Sequence, residues 1–312
     1  MTRRIRIALT ETKNAYQDMP ETLDGVAGLA SRMTDLRDAN LRHHEELIAD
    51  AAKAGARLVC LGELFSGPYF ARRTNPVWRA LAEDSVTGPS VVAMCAAAKA
   101  NDIIVVAPIY EIDAISGNRF NTAVVIDETG SILGRYRKTH IPEGENERGE
   151  FHEKFYYIPS DGQLGDMPAN VSTNRWFPVF ETSIGKVGIA ICYDRHFEGV
   201  MGTLANQGAE LVLSPAVTYG AKSERMWERE FEVDASRHCM FIAGSNRKGS
   251  EPPWNDEYFG RSYIVGPNGR VPRIEARPEL VMGDVNLDEL TSVDLSGWDL
   301  LRDRRTDIYD IR

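Results

Sequence analysis

Cysteine is scarce in this chain: four residues in 312, Cys60, Cys95, Cys192 and Cys239, far apart and without a Cys-x-x-Cys pair. That pattern excludes the usual zinc and redox spacings and points to a reduced, cytoplasmic protein. Long apolar runs are missing too. No stretch approaches the roughly 18 consecutive apolar residues of a membrane span. Ile5 to Leu9 is broken by Arg6 and followed by Glu11-Thr12-Lys13, which reads as an opening strand rather than a signal-peptide core. Positive charge is in deficit, since a net charge of −10 and a pI near 5.2 argue against a basic face for nucleic acid. Repeats, low-complexity tracts and linker-like segments are absent. One domain over 1–312 is therefore expected, with residues 286–312 as a C-terminal extension.

What is present is an alternation of strand and helix signals. Arg4–Leu9, Arg57–Leu61 and Ile103–Pro108 read as strands, and Phe120–Ile126 and Ile132–Tyr136 as a hairpin around Asp127-Glu128-Thr129-Gly130. Between them, a helix runs from a capping Thr34 to a terminating Gly55, with Leu41, Ile48 and Ala52 on one face, and another spans Pro89–Ala100. Ala15–Met33 and Arg137–Pro178 read as loops, the second long enough to carry function. Later strands are predicted at Val187–Ile191, Glu210–Leu213, Met240–Ala243, Arg261–Val265 and Val281–Val285, with helices from Phe197 to Gly208 and over Ser223–His238. Strands alternating with helices specify a layered α/β architecture. Cys60, Cys95 and Cys239 sit inside apolar patterns and read as small core residues.

Cys192 is different. It follows the wholly apolar run Val187–Ile191 and precedes an abrupt change to Asp194, Arg195 and His196, a place where a nucleophile could be mounted. Glu63 and Lys138 occupy the same context, each just past a strand. In α/β sheets, sites gather at the carboxyl ends of strands. Singly, such a Glu or Lys is usually a solvated loop residue; the joint placement raises both. Their chemistry is also complementary. A thiol of pKa near ~8.5 is mostly protonated at neutral pH and needs a base. A carboxylate can take that proton and return it to a leaving amine. An ammonium, with the Tyr193 main-chain N–H, can hold the oxyanion.

Three segments carry a resemblance. Gly62-Glu63-Leu64-Phe65, Gly134-Arg135-Tyr136-Arg137-Lys138-Thr139-His140-Ile141-Pro142 and Ile191-Cys192-Tyr193-Asp194-Arg195 resemble, in number and order, the motifs of the nitrilase (carbon–nitrogen hydrolase) superfamily. The likeness runs from Arg4 to the Trp298–Tyr309 segment. It implies an αββα sandwich, two mixed sheets between helix layers, that pairs into homodimers or higher homo-oligomers. It also implies roles: Glu63 as general base, Lys138 as oxyanion donor, Cys192 as nucleophile and, in the loop after the lysine, Glu153 as a second glutamate. Within the superfamily, Cys192-Tyr193-Asp194-Arg195-His196 and Phe65 to Phe70 look like β-ureidopropionase. His140 to Gly144, Glu153 to Tyr156 and the Trp298 to Arg305 segment look like N-carbamoylputrescine amidase.

The expected reaction is therefore hydrolysis of an N-carbamoyl compound to amine, carbon dioxide and ammonia, with no metal or organic cofactor. Tyr69, His140, Glu143, Tyr193, Arg195 and His196 are the expected substrate contacts. Glu143 would attract an amine at the substrate's far end, whereas Arg195 and His196 would attract a carboxylate. Rival readings are a simple amide or nitrile as substrate, a Cys192–His196 dyad, and a non-catalytic scaffold. His43-His44-Glu45-Glu46 lacks the spacing of a zinc helix and reads as a solvated face. Arg302-Asp303-Arg304-Arg305 reads as a salt-bridged subunit contact rather than a nucleic-acid patch.

Overall fold

Period-two burial with apolar side chains on both faces builds two stacked six-stranded sheets. The computed structural model describes residues 3–292, 296–305 and 307–308; the parts of the C-terminal extension at 293–295, 306 and 309–312, Tyr309 among them, lie outside the described residues. Five strands of the first sheet are β1 (Arg4–Thr10), β2 (Leu58–Cys60), β3 (Ile104–Ile112), β4 (Arg119–Ile126) and β5 (Ile132–Arg137). A hairpin follows, β6 (Glu143–Asn146) and β7 (Gly149–His152). The second sheet contains β8 (Val179–Thr182), β9 (Gly185–Ile189), β10 (Leu211–Ala216) and β11 (Phe241–Asn246). After a short ribbon, β12 (Lys248–Ser250) with β13 (Glu257–Phe259), β14 (Tyr263–Gly266) and β15 (Gly269–Arg270) complete that sheet. β16 (Leu280–Asn286) returns to the first.

Strand order is β16-β1-β2-β3-β4-β5 in one sheet and β15-β14-β11-β10-β9-β8 in the other. Each has three parallel strands at its centre and antiparallel strands outside them, so both are mixed. In the first sheet, Ile7, Leu9, Leu58, Cys60, Ile104 and Val106 face the second sheet's Val187, Ile189, Leu211 and Leu213 in one core. The alternate residues, Ala8, Val59, Val105 and Ala107, join a separate core with the outer helices α1 (Met33–Lys53) and α2 (Pro89–Asn101). Such strands read as continuous apolar runs because neither face meets water. Gly134, at φ +152, lets the sheets close: a Cβ there would collide with the Phe180 ring. On the far side lie α4 (Glu198–Asn206) and α5 (Ala221–His238), the single-turn α3 (Glu153–Tyr156) having come between the sheets in sequence. They press so closely that a Cβ on Gly188 would meet Leu204, and one on Gly244 would meet Phe231 and Trp227. The four layers αββα follow.

Local signals match in part. α1 ends as expected in a Schellman arrangement, with Gly55 at φ +87, Gly55 N bonding Ala52 O and Ala56 N bonding Ala51 O. Its start does not use Thr34. The cap is Arg32, without a side-chain bond, and Thr34 lies inside the first turn. Ala15–Met33 contains the 3-10 segment Leu23–Ser31, and the Arg137–Pro178 loop contains the β6–β7 hairpin and α3. Cys95 and Cys239 are only half-buried, whereas Cys60 is in the core. His44 is not on a solvated face either. It turns inward against Phe65, with Nδ1 bonded to Asn40 O at 2.8 Å and Nε2 at 3.4 Å from Thr12 Oγ1. No helix among the described residues is long and apolar enough to cross a membrane.

Burial drives the His44 pKa down to about 3, so the ring is neutral in the folded protein. The unfolded chain takes up a proton near pH 6.5 that the folded one refuses, so stability is full above 6.5 and falls as pH drops toward 3. Urea unfolding between pH 6.5 and 5 should show a loss of about 2 kcal/mol from this residue, at about 1.4 kcal/mol per pH unit. His44→Gln should be shallower by that slope. An identical pH dependence in the variant refutes the assignment.

Candidate active site

Glu63, Lys138 and Cys192 come from three different strand ends, and the two sheets bring those ends together. Glu63 lies three residues past β2, Lys138 directly follows β5, and Cys192 lies three residues past β9. Lys138 is fully buried, and its ammonium donates to Glu63 Oε1 at 2.8 Å and to Glu153 Oε2 at 2.7 Å. Glu63 accepts two more bonds, from Asn121 Nδ2 at 2.7 Å on Oε1 and from the Val217 N–H at 2.7 Å on Oε2. The same Val217 offers its carbonyl to the Cys192 thiol at 3.6 Å. One residue just past the end of β10 therefore joins carboxylate and sulfur. Glu153, the first residue of α3, accepts the Tyr69 hydroxyl at 2.8 Å on its other oxygen.

The Cys192 backbone is left-handed, φ +50, at the start of the turn Cys192–His196. The expected strand through Ile191 ends at Ile189, leaving two buried residues before this corner. Asp194, wholly buried, fixes the corner: Oδ2 accepts the Ile191 N–H at 3.0 Å and the Tyr136 hydroxyl at 2.7 Å, and Oδ1 accepts the His140 N–H at 2.9 Å. It thereby ties the sulfur-bearing turn to the segment that carries Lys138.

A cavity of about 450 Å³ opens over Cys192, lined by Tyr69, Glu153, Tyr193, Arg195, His196 and Tyr219 among others. Four expected substrate contacts are therefore on its wall: Tyr69, Tyr193, Arg195 and His196. His140 is elsewhere. Its ring stacks on Phe197 at 3.8 Å, and its Nδ1 is 2.8 Å from Asp194, facing a separate cavity with Trp176 and Phe177. Glu143 is exposed on β6, 3.9 Å from Lys154; Glu145 and Glu147 of the same hairpin line the cavity instead.

Arg195 is engaged within the protein. It donates to the Cys192 carbonyl at 2.7 Å, lies 3.9 Å from the thiol and 3.2 Å from Glu230 Oε2, and packs over Trp227. His196 Nδ1 is 2.6 Å from Glu230 Oε1, so its imidazole is oriented by a carboxylate and not by the thiol. Asn121, Val217, Asp194 and Glu230 complete the site without being among the expected residues. Asp194 sat inside a quoted motif, whereas the other three have no local signal.

The electrostatics follow from burial. Two carboxylates around one ammonium leave a net negative charge, so ionising the thiol would add a second. Burial first, and Glu63 next, push the Cys192 thiol up to about 12 against the opposing pull of Lys138 and Arg195. Burial also raises the Glu153 carboxyl, with Lys138 opposing and Glu63 adding to it. The two carboxylates hold the Lys138 ammonium protonated against its burial. A protonated thiol beside a hydrogen-bonded carboxylate can attack a carbonyl only as its proton leaves.

The carbon-nitrogen hydrolase family profile matches residues 25–294. The chain belongs to the carbon–nitrogen hydrolase family. It is 31% identical over 300 residues to an N-carbamoylputrescine amidase of Solanum tuberosum, covering 92% of this chain and 93% of that protein. It is 30% identical over 279 residues to a beta-ureidopropionase of Arabidopsis thaliana, covering 85% of this chain and 61% of that protein. Among solved structures, a carbon-nitrogen hydrolase from Helicobacter pylori G27 superimposes with a TM-score of 0.78 at 25% identity, covering 99% of this chain and 97% of the other. The αββα fold and the hydrolytic class of this carbon–nitrogen hydrolase rest on these likenesses together with the geometry above.

Because the thiol is pushed up to about 12, iodoacetamide labelling of Cys192 in the ligand-free enzyme should rise about tenfold per pH unit from 7 to 9.5, without levelling. Mass spectrometry of the labelled peptide reads the rate. A plateau near pH 7 would mean a pre-formed thiolate and contradict this electrostatic account.

Proposed function

We propose that the enzyme hydrolyses N-carbamoyl (ureido) compounds through a Cys192 thioester. The observation that carries the reading is the Lys138 ammonium held between Glu63 and Glu153, with Glu63 and the Cys192 thiol meeting at Val217. As sulfur bonds the ureido carbon, Glu63 takes the thiol proton. Lys138 and the Tyr193 N–H hold the carbonyl oxygen as it becomes an oxyanion. Negative charge moves from carboxylate to oxyanion while the total is unchanged, so no second charge has to be buried. The carbon–nitrogen bond breaks and ammonia leaves with the proton from Glu63. Glu63 then deprotonates water, which attacks the thioester and returns the thiol. The released carbamate decomposes to carbon dioxide and amine.

The far end of the substrate is an amine on this reading. Arg195 and Glu230 offset one another, which leaves Glu145 and Glu147 against Lys222 on the cavity wall. That surplus of negative charge favours a cation, in keeping with the similarity to an N-carbamoylputrescine amidase. A simple amide or nitrile is the alternative substrate. We place the enzyme in the cytoplasm as a homo-oligomer, with Trp298, Leu300 and Ile308, all exposed on the 286–312 extension, as candidate contacts; light scattering of the full chain tests the assembly.

N-carbamoylputrescine should be turned over with kcat/KM at least about tenfold above N-carbamoyl-β-alanine and a plain amide, one carbon dioxide appearing per ammonia. Glu63→Gln and Cys192→Ala should lower kcat by about 10³-fold or more, and His196→Ala by far less. Ammonia released without carbon dioxide would overturn the ureido assignment. Loss of turnover in His196→Ala with Glu63→Gln active would restore the Cys–His dyad.

A further inference from the structure

We propose that Arg247 and Glu251 form a positioning pair that sets the geometry of both carboxylates flanking Lys138. The inference rests on the reading of Glu63 as base. Arg247 follows β11, and its guanidinium is buried. Nη2 donates to three carbonyls of the turn after β2: Glu63 O at 3.2 Å, Leu64 O at 3.3 Å and Gly67 O at 3.1 Å. Leu64 is left-handed, φ +54, a backbone state that is unfavourable for a non-glycine residue and persists only where neighbours enforce it. Nη1 of Arg247 donates to Glu251, which is 1% exposed.

Glu251 extends the support to the second carboxylate. Its Oε2 accepts the Tyr69 N–H at 3.1 Å, and the Tyr69 hydroxyl in turn donates to Glu153 Oε1 at 2.8 Å. Oε1 also accepts the Asn14 N–H at 2.6 Å, anchoring the pair to the segment after β1. The turn that bears Glu63 and the tyrosine that orients Glu153 thus hang from one arginine–glutamate pair, and neither partner lines the cavity over Cys192. A buried ion pair is a poor source of net stability, because the desolvation of both charges offsets their attraction. What it supplies here is direction, since a planar guanidinium can hold several carbonyls at fixed angles.

The test is kinetic, with active sites counted by iodoacetamide-labelled Cys192. Arg247→Met should lower kcat per labelled site about 100-fold, the cost of displacing a catalytic group by about 1 Å, with KM changed less than about threefold. Arg247→Lys should recover part of that loss, and Glu251→Gln, which keeps the shape, should fall between them. In a Glu63→Gln background, Arg247→Met should lower the residual rate by well under 100-fold, because the part of its effect that acts through Glu63 is already lost and only the part through Tyr69 and Glu153 remains. Should Arg247→Met not fold, Arg247→Lys and Glu251→Gln carry the same comparison. Full kcat per site in the folded variants, or losses that multiply with Glu63→Gln, overturns the positioning role alone. Wild-type turnover by Glu63→Gln itself would instead overturn the base assignment, and this inference with it.

Discussion

The structure depends on one buried cation shared by two carboxylates. Lys138 is fully buried, and no water is needed to account for its charge, because Glu63 and Glu153 take two of its three donors. Removing the ammonium would leave two carboxylates unpaired in a low-dielectric interior, which costs several kcal/mol. The shared ammonium therefore does two things at once. It makes the burial of Glu63 tolerable, and it keeps a third N–H that neither carboxylate takes. Burial first, and the carboxylate of Glu63 second, raise the Cys192 thiol in this setting.

Such a cluster cannot be built from one segment. Glu63, Lys138 and Cys192 come from different strand ends of two sheets whose shared core excludes water, and Glu153 comes from the helix after the β6–β7 hairpin. The ends are then locked by polar groups that are themselves saturated. Asp194 joins the Cys192 corner to the Lys138 segment, and Val217 joins the sulfur to Glu63. Arg72 adds a further strap. It is buried, binds the carbonyls of Arg148 and Glu150 in the β6–β7 hairpin and the Tyr219 hydroxyl, and so holds the cavity roof over Glu153. The corners that bear Glu63 and Cys192 each contain a left-handed non-glycine residue, Leu64 and Cys192, and strain of that kind survives only in an over-determined setting.

Much of this was legible in the chain. Val187 to Ile191 reads as a strand buried on both faces because its residues are apolar without alternation, and the abrupt polarity after Cys192 marks a functional turn. Gly55 stops α1 because only that residue type enters the left-handed region freely, a local rule needing no tertiary knowledge. Tertiary contacts override other local signals. Thr34 looks like a helix cap, yet Arg32 occupies that position; the His43-His44 pair looks solvated, yet His44 turns into the core. Arg195 looks like an anchor for a substrate carboxylate until Glu230, 35 residues away on another helix, is seen beside it.

The alternation of strands and helices and the candidates Glu63, Lys138 and Cys192 were determined by the sequence alone, because burial periodicity and side-chain chemistry are local properties, whereas the four-layer architecture rested on the resemblance of three motifs. Which groups neutralise one another was decided only by the fold. Asn121, Val217 and Glu230 carry no mark in the chain, and His140 and Glu143 carry a mark that geometry redirects, because the distance between two side chains is set by strand pairing and sheet stacking rather than by their separation in sequence.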